Sequence, residues 1–216
     1  MFVKYMVKYS NFLKECNTGD LLLYHDTNCG ALLIEYFTKN IYSHISMILK
    51  NPTYINKNLM GLYILESGIE KLTDTDGIKK IGVQLYPLEN VINEYKQAKY
   101  NKLYYRKLEC DRGIEFHGTI KKSYELIKDD NYDLILTDWL KAEFNINVGN
   151  TQKTDTFWCS ALIAYLYVQM GFLNKDVPWT IIAPNQFCSS DKNKLNFKNC
   201  TLQKEQLIAF NSKSKS

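Results

Sequence analysis

Three side chains of different chemistry stand at the ends of apolar segments in this sequence. Cys159 lies near the start of "TFWCSALIAYLYVQMG" (Thr156 to Gly171), His44 begins "HISMILK", and Glu66 closes "LYILE". A thiol, an imidazole and a carboxylate are the parts of a nucleophilic triad. The imidazole takes the proton of the thiol, the carboxylate orients the imidazole, and the sulfur attacks a carbonyl carbon. Each residue also has an ordinary alternative. A cysteine in an apolar helix is most often a small buried hydrophobe, a lone histidine on a strand is more often a satisfied structural residue, and a glutamate at a strand end is commonly solvated.

The surroundings of each residue bear on the choice. Asp155 or Thr156 is a good helix N-cap, since either side chain can accept from the free amides of the first turn. Cys159 then falls at the third or fourth helical position, on a face with Leu162, Ile163, Leu166 and Met170. The helix dipole favours negative charge at this end and so favours a thiolate. Of the three histidines, His25 follows a strand in a turn and His117 falls within an amphipathic helix. His44 alone lies near the beginning of a strand, pointing the same way as Ser46 and Ile48, while Ile45, Met47 and Leu49 point the other way. Glu66 continues the face of Leu62 and Ile64, where a carboxylate is costly without a partner. If the two strands are neighbours, Glu66 lies across from His44.

The elements that must position these groups follow from periodicity and turn residues. Phe2 to Glu15 has helical spacing. "TGDLLLYHD" (Thr18 to Asp26) reads as a Gly-Asp turn and a short apolar strand, and Cys29 to Asn40 as an amphipathic helix. Ser43 to Lys50 is a strand, Asn51 to Gly61 a loop, and Leu62 to Gly68 a strand ended by its glycine. After a polar, hairpin-like connection comes a strand from Val83 that Pro87 ends, then a short helix and a strand over Lys102 to Leu108. Helical spacing returns over Gly113 to Asp129 and Tyr132 to Asn145. A polar loop leads into the cysteine helix, which Gly171 closes as a C-cap. "VPWTIIAPNQFCSSD" is a loop with two prolines, "CTLQKEQLIAF" holds one more strand, and residues 211–216 form a disordered polar tail.

Bulk properties exclude several classes. A chain of 216 residues suits a single domain. The net charge of +4 is small and the lysines are mixed with acids, so no nucleic-acid stripe stands out. A weak preference for an anionic or lipid surface is compatible with that balance. The six cysteines have irregular spacing and no CxxC pair, which argues against both a disulfide framework and a zinc site of the usual kind. They read as reduced thiols of an intracellular, non-secreted protein, because "MFVKYMVKYSNFLKE" has no signal-peptide pattern. No run reaches the roughly 18 apolar residues that would span a bilayer. The 16 tyrosines, with many Asn, Lys and Ile, reflect an AT-rich genome.

Taken in order, "GDLLLYHD", "SHISMIL", "LYILESG" and "FWCSALIAYLYVQMG" resemble the permuted branch of the NlpC/P60 superfamily of papain-like cysteine hydrolases. The nearest in style are the bacterial YiiX-like proteins and related poxvirus proteins, with lecithin retinol acyltransferase relatives further off. In that branch the histidine comes first, then an acidic residue, and the nucleophilic cysteine last; the order here is His44, Glu66, Cys159. The resemblance covers roughly Thr18 to Ser190. It implies a single α+β domain over 1–216, with a permuted papain-like, mostly antiparallel sheet packed against the cysteine helix and extra helices, 113–145 being a helical insertion. It further implies acyl transfer through Cys159, His44 and Glu66, with no metal or organic cofactor and with a peptide or lipid acyl group as substrate. The Cys159 backbone N–H, with Tyr24 or Ser160 as a further group, would hold the oxyanion or substrate. A catalytically silent fold that binds a lipid or peptide, or a virion structural protein, is the alternative. The viral relatives place the expected location in the host cytoplasm or the virion.

Overall fold

A computed structural model of the chain describes residues 5–26, 41–98, 100–129, 131–132, 156–157 and 159–210. The helices expected at Cys29 to Asn40 and at 133–145, the Asp155 cap and the 211–216 tail lie outside these residues.

The main sheet begins from an unexpected element. Met6–Lys8 (β1) is extended, and only Tyr9–Glu15 (α1) is helical. Helical spacing near the N-terminus is overridden because Met6, Val7 and Lys8 pair in parallel with Leu207, Ile208 and Ala209 of Gln206–Ala209 (β11). Local propensity yields there to a partner from the far end of the chain.

The remaining strands are Leu21–His25 (β2), His44–Lys50 (β3), Leu62–Thr73 (β4), Lys79–Pro87 (β5) and Lys102–Arg106 (β6). They form a seven-stranded sheet in the order β1-β11-β6-β2-β3-β4-β5, antiparallel except at β1/β11. Gly68 does not end β4. It pairs with Gly82 across the hairpin, and the strand runs on to Thr73 through a register shift between Gly68 and Leu72. Leu88–Gln97 (α2) follows Pro87 as its spacing predicts. Leu108–Glu109 (β7) and Thr201–Leu202 (β10) make a small antiparallel ribbon, and Asn131–Tyr132 (β8) and Thr156–Phe157 (β9) a parallel one. Ile114–Ile127 (α3) and Cys159–Gln169 (α4) complete four helices among the described residues.

Strand alternation divides the core into two layers. Leu21, Leu23, Ile45, Met47, Leu65 and Leu85 pack with α3, α4 and the 3₁₀ turns Trp179–Ile181 and Pro184–Phe187. Leu22, Ile48, Ile64 and Tyr86 pack on the other side with Phe12 of α1 and Val91, Ile92 and Tyr95 of α2. The fold is thus α+β, with a large, mostly antiparallel sheet between helical layers. No helix among the described residues is long and apolar enough to cross a membrane.

The Gly-Asp turn before β2 has a specific structural task. Gly19 has φ +91°, and a Cβ there would lie 2.7 Å from Leu108 Cδ2, so a side chain is excluded on both counts. Asp20 is fully buried and gathers four donors: the Asn17 amide at 2.8 Å, the Leu108 amide at 2.9 Å, Arg112 Nη2 at 3.0 Å and the Tyr105 hydroxyl at 2.6 Å. Burial pushes its carboxyl up, and the bonds from Tyr105, Leu108 and Asn17 together with Arg112 pull it back. This one side chain ties the entry to β2 to the chain leaving β6.

Candidate active site

Cys159 is the first residue of α4 rather than the third or fourth. Thr156 and Phe157 are extended, paired in parallel with Asn131 and Tyr132, and so cannot cap a helical turn that includes them. The shorter helix is buried along Cys159 to Val168 and packs against β3, β4 and the Trp179–Ile181 turn. It has no polar face, as expected of a helix enclosed on every side. Gly171 ends it with φ +73°; the Gly171 amide donates to Val168 O at 3.0 Å and the Phe172 amide to Tyr167 O at 2.8 Å. The start of α4 therefore presents its unpaired amides beside the sulfur.

His44 is the first residue of β3, at the rim of the sheet, and Tyr24 of β2 is its direct cross-strand partner. His44 shares its parity with Ser46 and Ile48, and Glu66 shares that of Ile64, so the two project toward the same side. His44 Nε2 lies 2.9 Å from Glu66 Oε2, with 22% of the histidine side chain and 8% of the glutamate exposed. The Cys159 thiol lies close enough to the same ring to act on its charge. Burial lowers the affinity of the ring for its proton. The charges of Cys159 and Glu66, and the hydrogen bond to Glu66, outweigh burial and raise the ring well above its ordinary value. Thiol, imidazole and carboxylate, taken from widely separated parts of the sequence, thus converge.

The other two histidines have different surroundings. His25, the last residue of β2, donates from Nδ1 to Ile41 O at 3.0 Å. His117 of α3 lies against Tyr54 and Phe116.

Two expected substrate or oxyanion groups have partners within the protein. The Ser160 hydroxyl is fully buried and donates to Ile182 O at 2.6 Å, which fastens the start of α4 to the turn after it. The Tyr24 hydroxyl is 2.7 Å from Ser46 Oγ, and the Tyr24 ring meets the His44 ring edge-on at 4.9 Å. Tyr24 therefore supports the imidazole from below. Tyr24→Phe is expected to leave the turnover number within about tenfold of wild type, whereas removing an oxyanion donor costs about 10²–10³-fold. Steady-state kinetics on the purified variant distinguishes the two.

Sequence reasoning missed Ser46 and Gln84. Gln84 of β5 is fully buried and is the cross-strand partner of Glu66. Both sit at alternate positions of apolar strands, so only the pairing of the strands reveals that their faces carry the site.

No family model matches the chain, and no curated protein matches it. Among solved structures, the fold is similar to that of the metalloprotein YiiX from Escherichia coli O157:H7, of the DUF1105 group. The match has a TM-score of 0.50 at 13% identity, over 89% of this chain and 98% of that one. The likeness extends over nearly the whole of both chains and concerns the fold.

Proposed function

We propose that this protein is a cysteine hydrolase or acyltransferase that cleaves an amide, ester or thioester bond through Cys159, His44 and Glu66. The observation that carries the proposal is the His44 ring, hydrogen-bonded to Glu66 2.9 Å away and raised by the charge of a thiol on the first residue of a buried helix. The YiiX-like fold supports a YiiX-like reading, and the residue order His44, Glu66, Cys159 is the order that the resemblance to permuted papain-like proteins requires.

In this reading His44 draws the thiol proton and keeps it as an imidazolium held by Glu66. The sulfur adds to the carbonyl carbon, and the oxyanion settles toward the free amides at the start of α4. On collapse His44 gives its proton to the leaving amine, alcohol or thiol, and the acyl group stays on sulfur as a thioester. Water or another acceptor, deprotonated by His44, then releases the acyl group and restores the thiol. The E. coli protein is described as a metalloprotein, but the described residues of this chain do not fit a metal. Among the described residues no three His, Cys, Asp or Glu side chains are grouped to hold an ion, and His44 is engaged by Glu66 and by Cys159.

The carboxylate gives this reading a pH signature. A ring raised by its partners contributes fully to folding below its ordinary value of 6.5, and the contribution is lost as pH climbs through the raised value. Glu66→Gln removes one of the charges that raise it. The alkaline limbs of both the stability profile and the kcat/KM profile are expected to move toward acid, with kcat lowered about 10²-fold or more. An unmoved alkaline limb would deny Glu66 its role.

The overall reading is tested with acyl fluorophosphonate and vinyl-sulfone probes of graded chain length on wild type and Cys159→Ala. Labelling at Cys159 that strengthens with chain length identifies a lipid acyl substrate, and labelling that favours peptide-like probes identifies an amide. No labelling at Cys159 by any probe would point to a catalytically silent fold.

A further inference from the structure

The geometry points to a second thiol chemistry remote from His44: Cys110 and Cys200 form a cross-strand disulfide when the protein meets an oxidising thiol pool. The two residues stand one step beyond the β7/β10 ribbon. Thr201 pairs with Glu109 and Leu202 with Leu108, so the next step of the same register sets Cys200 opposite Cys110. The Gln203 amide donates to Lys107 O at 2.8 Å, which sets the phase of the ladder. Hydrogen-bonded and non-hydrogen-bonded pairs alternate. Leu108/Leu202 is then a non-hydrogen-bonded pair, Glu109/Thr201 a hydrogen-bonded one, and Cys110/Cys200 falls at the next non-hydrogen-bonded position. Opposed Cα atoms there stand about 4.5 Å apart, within the range of about 4.4–6.8 Å that a disulfide spans.

Facing is settled as well as spacing. Cys110 and Cys200 share the parity of Leu108 and Leu202, both buried in the α4-side core, and both cysteines pack against that core while remaining partly exposed. Cys16, Cys159 and Cys188 are buried, which leaves this pair as the accessible thiols among the described residues.

The oxidant is a low-molecular-weight disulfide. Cys110 attacks first: burial raises its thiol but Arg112 draws it part of the way back, while burial and the neighbouring Cys110 push Cys200 up to about 12. The Cys110 thiolate displaces one small thiolate and forms a mixed disulfide. Cys200 then gives up its proton, attacks the Cys110 sulfur and releases the second small thiolate. Two protein thiols lose two electrons and two protons, and the oxidant leaves as two thiols. The bond clamps the segment after α4 to the chain entering α3, and so closes a loop that contains Cys159.

The test uses the full chain equilibrated with oxidised glutathione, followed by thiol counting under denaturing conditions and non-reducing peptide mapping. Titratable thiols are expected to fall from six to four, with one new peptide linking Cys110 to Cys200. The thermal midpoint should rise by roughly 5 °C or more and return on reduction. Cys110→Ser and Cys200→Ser should each abolish the rise, with far-UV circular dichroism reporting that they fold. Separate glutathione adducts on the two residues, either one bridged to a different cysteine, or six remaining thiols would each overturn the inference; the map is read on wild type and needs no variant to fold.

Discussion

Cys159→Ala is expected to abolish acyl transfer, lowering kcat by at least about 10⁴-fold while leaving the thermal midpoint nearly unchanged. The alanine keeps the buried position and removes only the sulfur, so the loss falls on chemistry. His44→Ala should cost about as much, and the double variant little more than either single one, because nucleophile and base act as one unit. The structural ground is the position of His44 between Glu66, 2.9 Å away, and the Cys159 thiol. Kinetics on the two single variants and the double variant checks it. If His44→Ala retained wild-type turnover, the ring would be a structural residue at a strand end.

Asp20→Ala is expected to be strongly destabilising, by about 3–5 kcal/mol, with no direct effect on the reacting groups. The carboxylate is fully buried, and its loss strands the Leu108 amide and the Tyr105 hydroxyl inside the protein and unpairs the half-buried Asn17 amide. Arg112 also loses its ion pair, although it keeps the Thr18 and Leu108 carbonyls. Asp20→Asn should cost less, since an amide oxygen still accepts from part of the set. Urea unfolding of the two variants measures the difference. A loss below about 1 kcal/mol for the alanine variant would show that water replaces the carboxylate at little cost.

What the sequence conveys of this architecture follows from how local each signal is. The strand carrying His44, the loop after it, α2 following Pro87, α3 and the glycine that ends α4 rest on contacts within a few residues, and their spacing shows them. The parity of His44 and Glu66 was legible for the same reason: alternation in two short strands fixes which side chains share a face. The start of α4 was less accessible. A polar residue before an apolar run signals a cap, but Thr156 and Phe157 are held extended by pairing with Asn131 and Tyr132, a tertiary contact with no local trace. Met6–Lys8 is the same case, drawn into the sheet by β11 from the other end of the chain. Gly68 misled because a glycine in a strand marks either an end or a close crossing; here it faces Gly82. Ser160 and Tyr24 looked available because the sequence does not reveal that the Ile182 carbonyl and the Ser46 hydroxyl already hold them. The Gly19-Asp20 turn shows the opposite pattern, a short motif whose physical reason emerges only when the donors around Asp20 are seen.

The central claim is that the Cys159 sulfur and the His44 ring act as a pair. Its most direct measurement is the rate at which each cysteine is alkylated at neutral pH, read by peptide mapping in wild type and in His44→Ala. The paired arrangement predicts that Cys159 reacts faster than Cys16 and Cys188, which are also buried. It also predicts that the rate at Cys159 falls by at least about tenfold once the imidazole is gone. Alkylation of Cys159 at the same rate with and without His44, or no faster than at those two thiols, would contradict it.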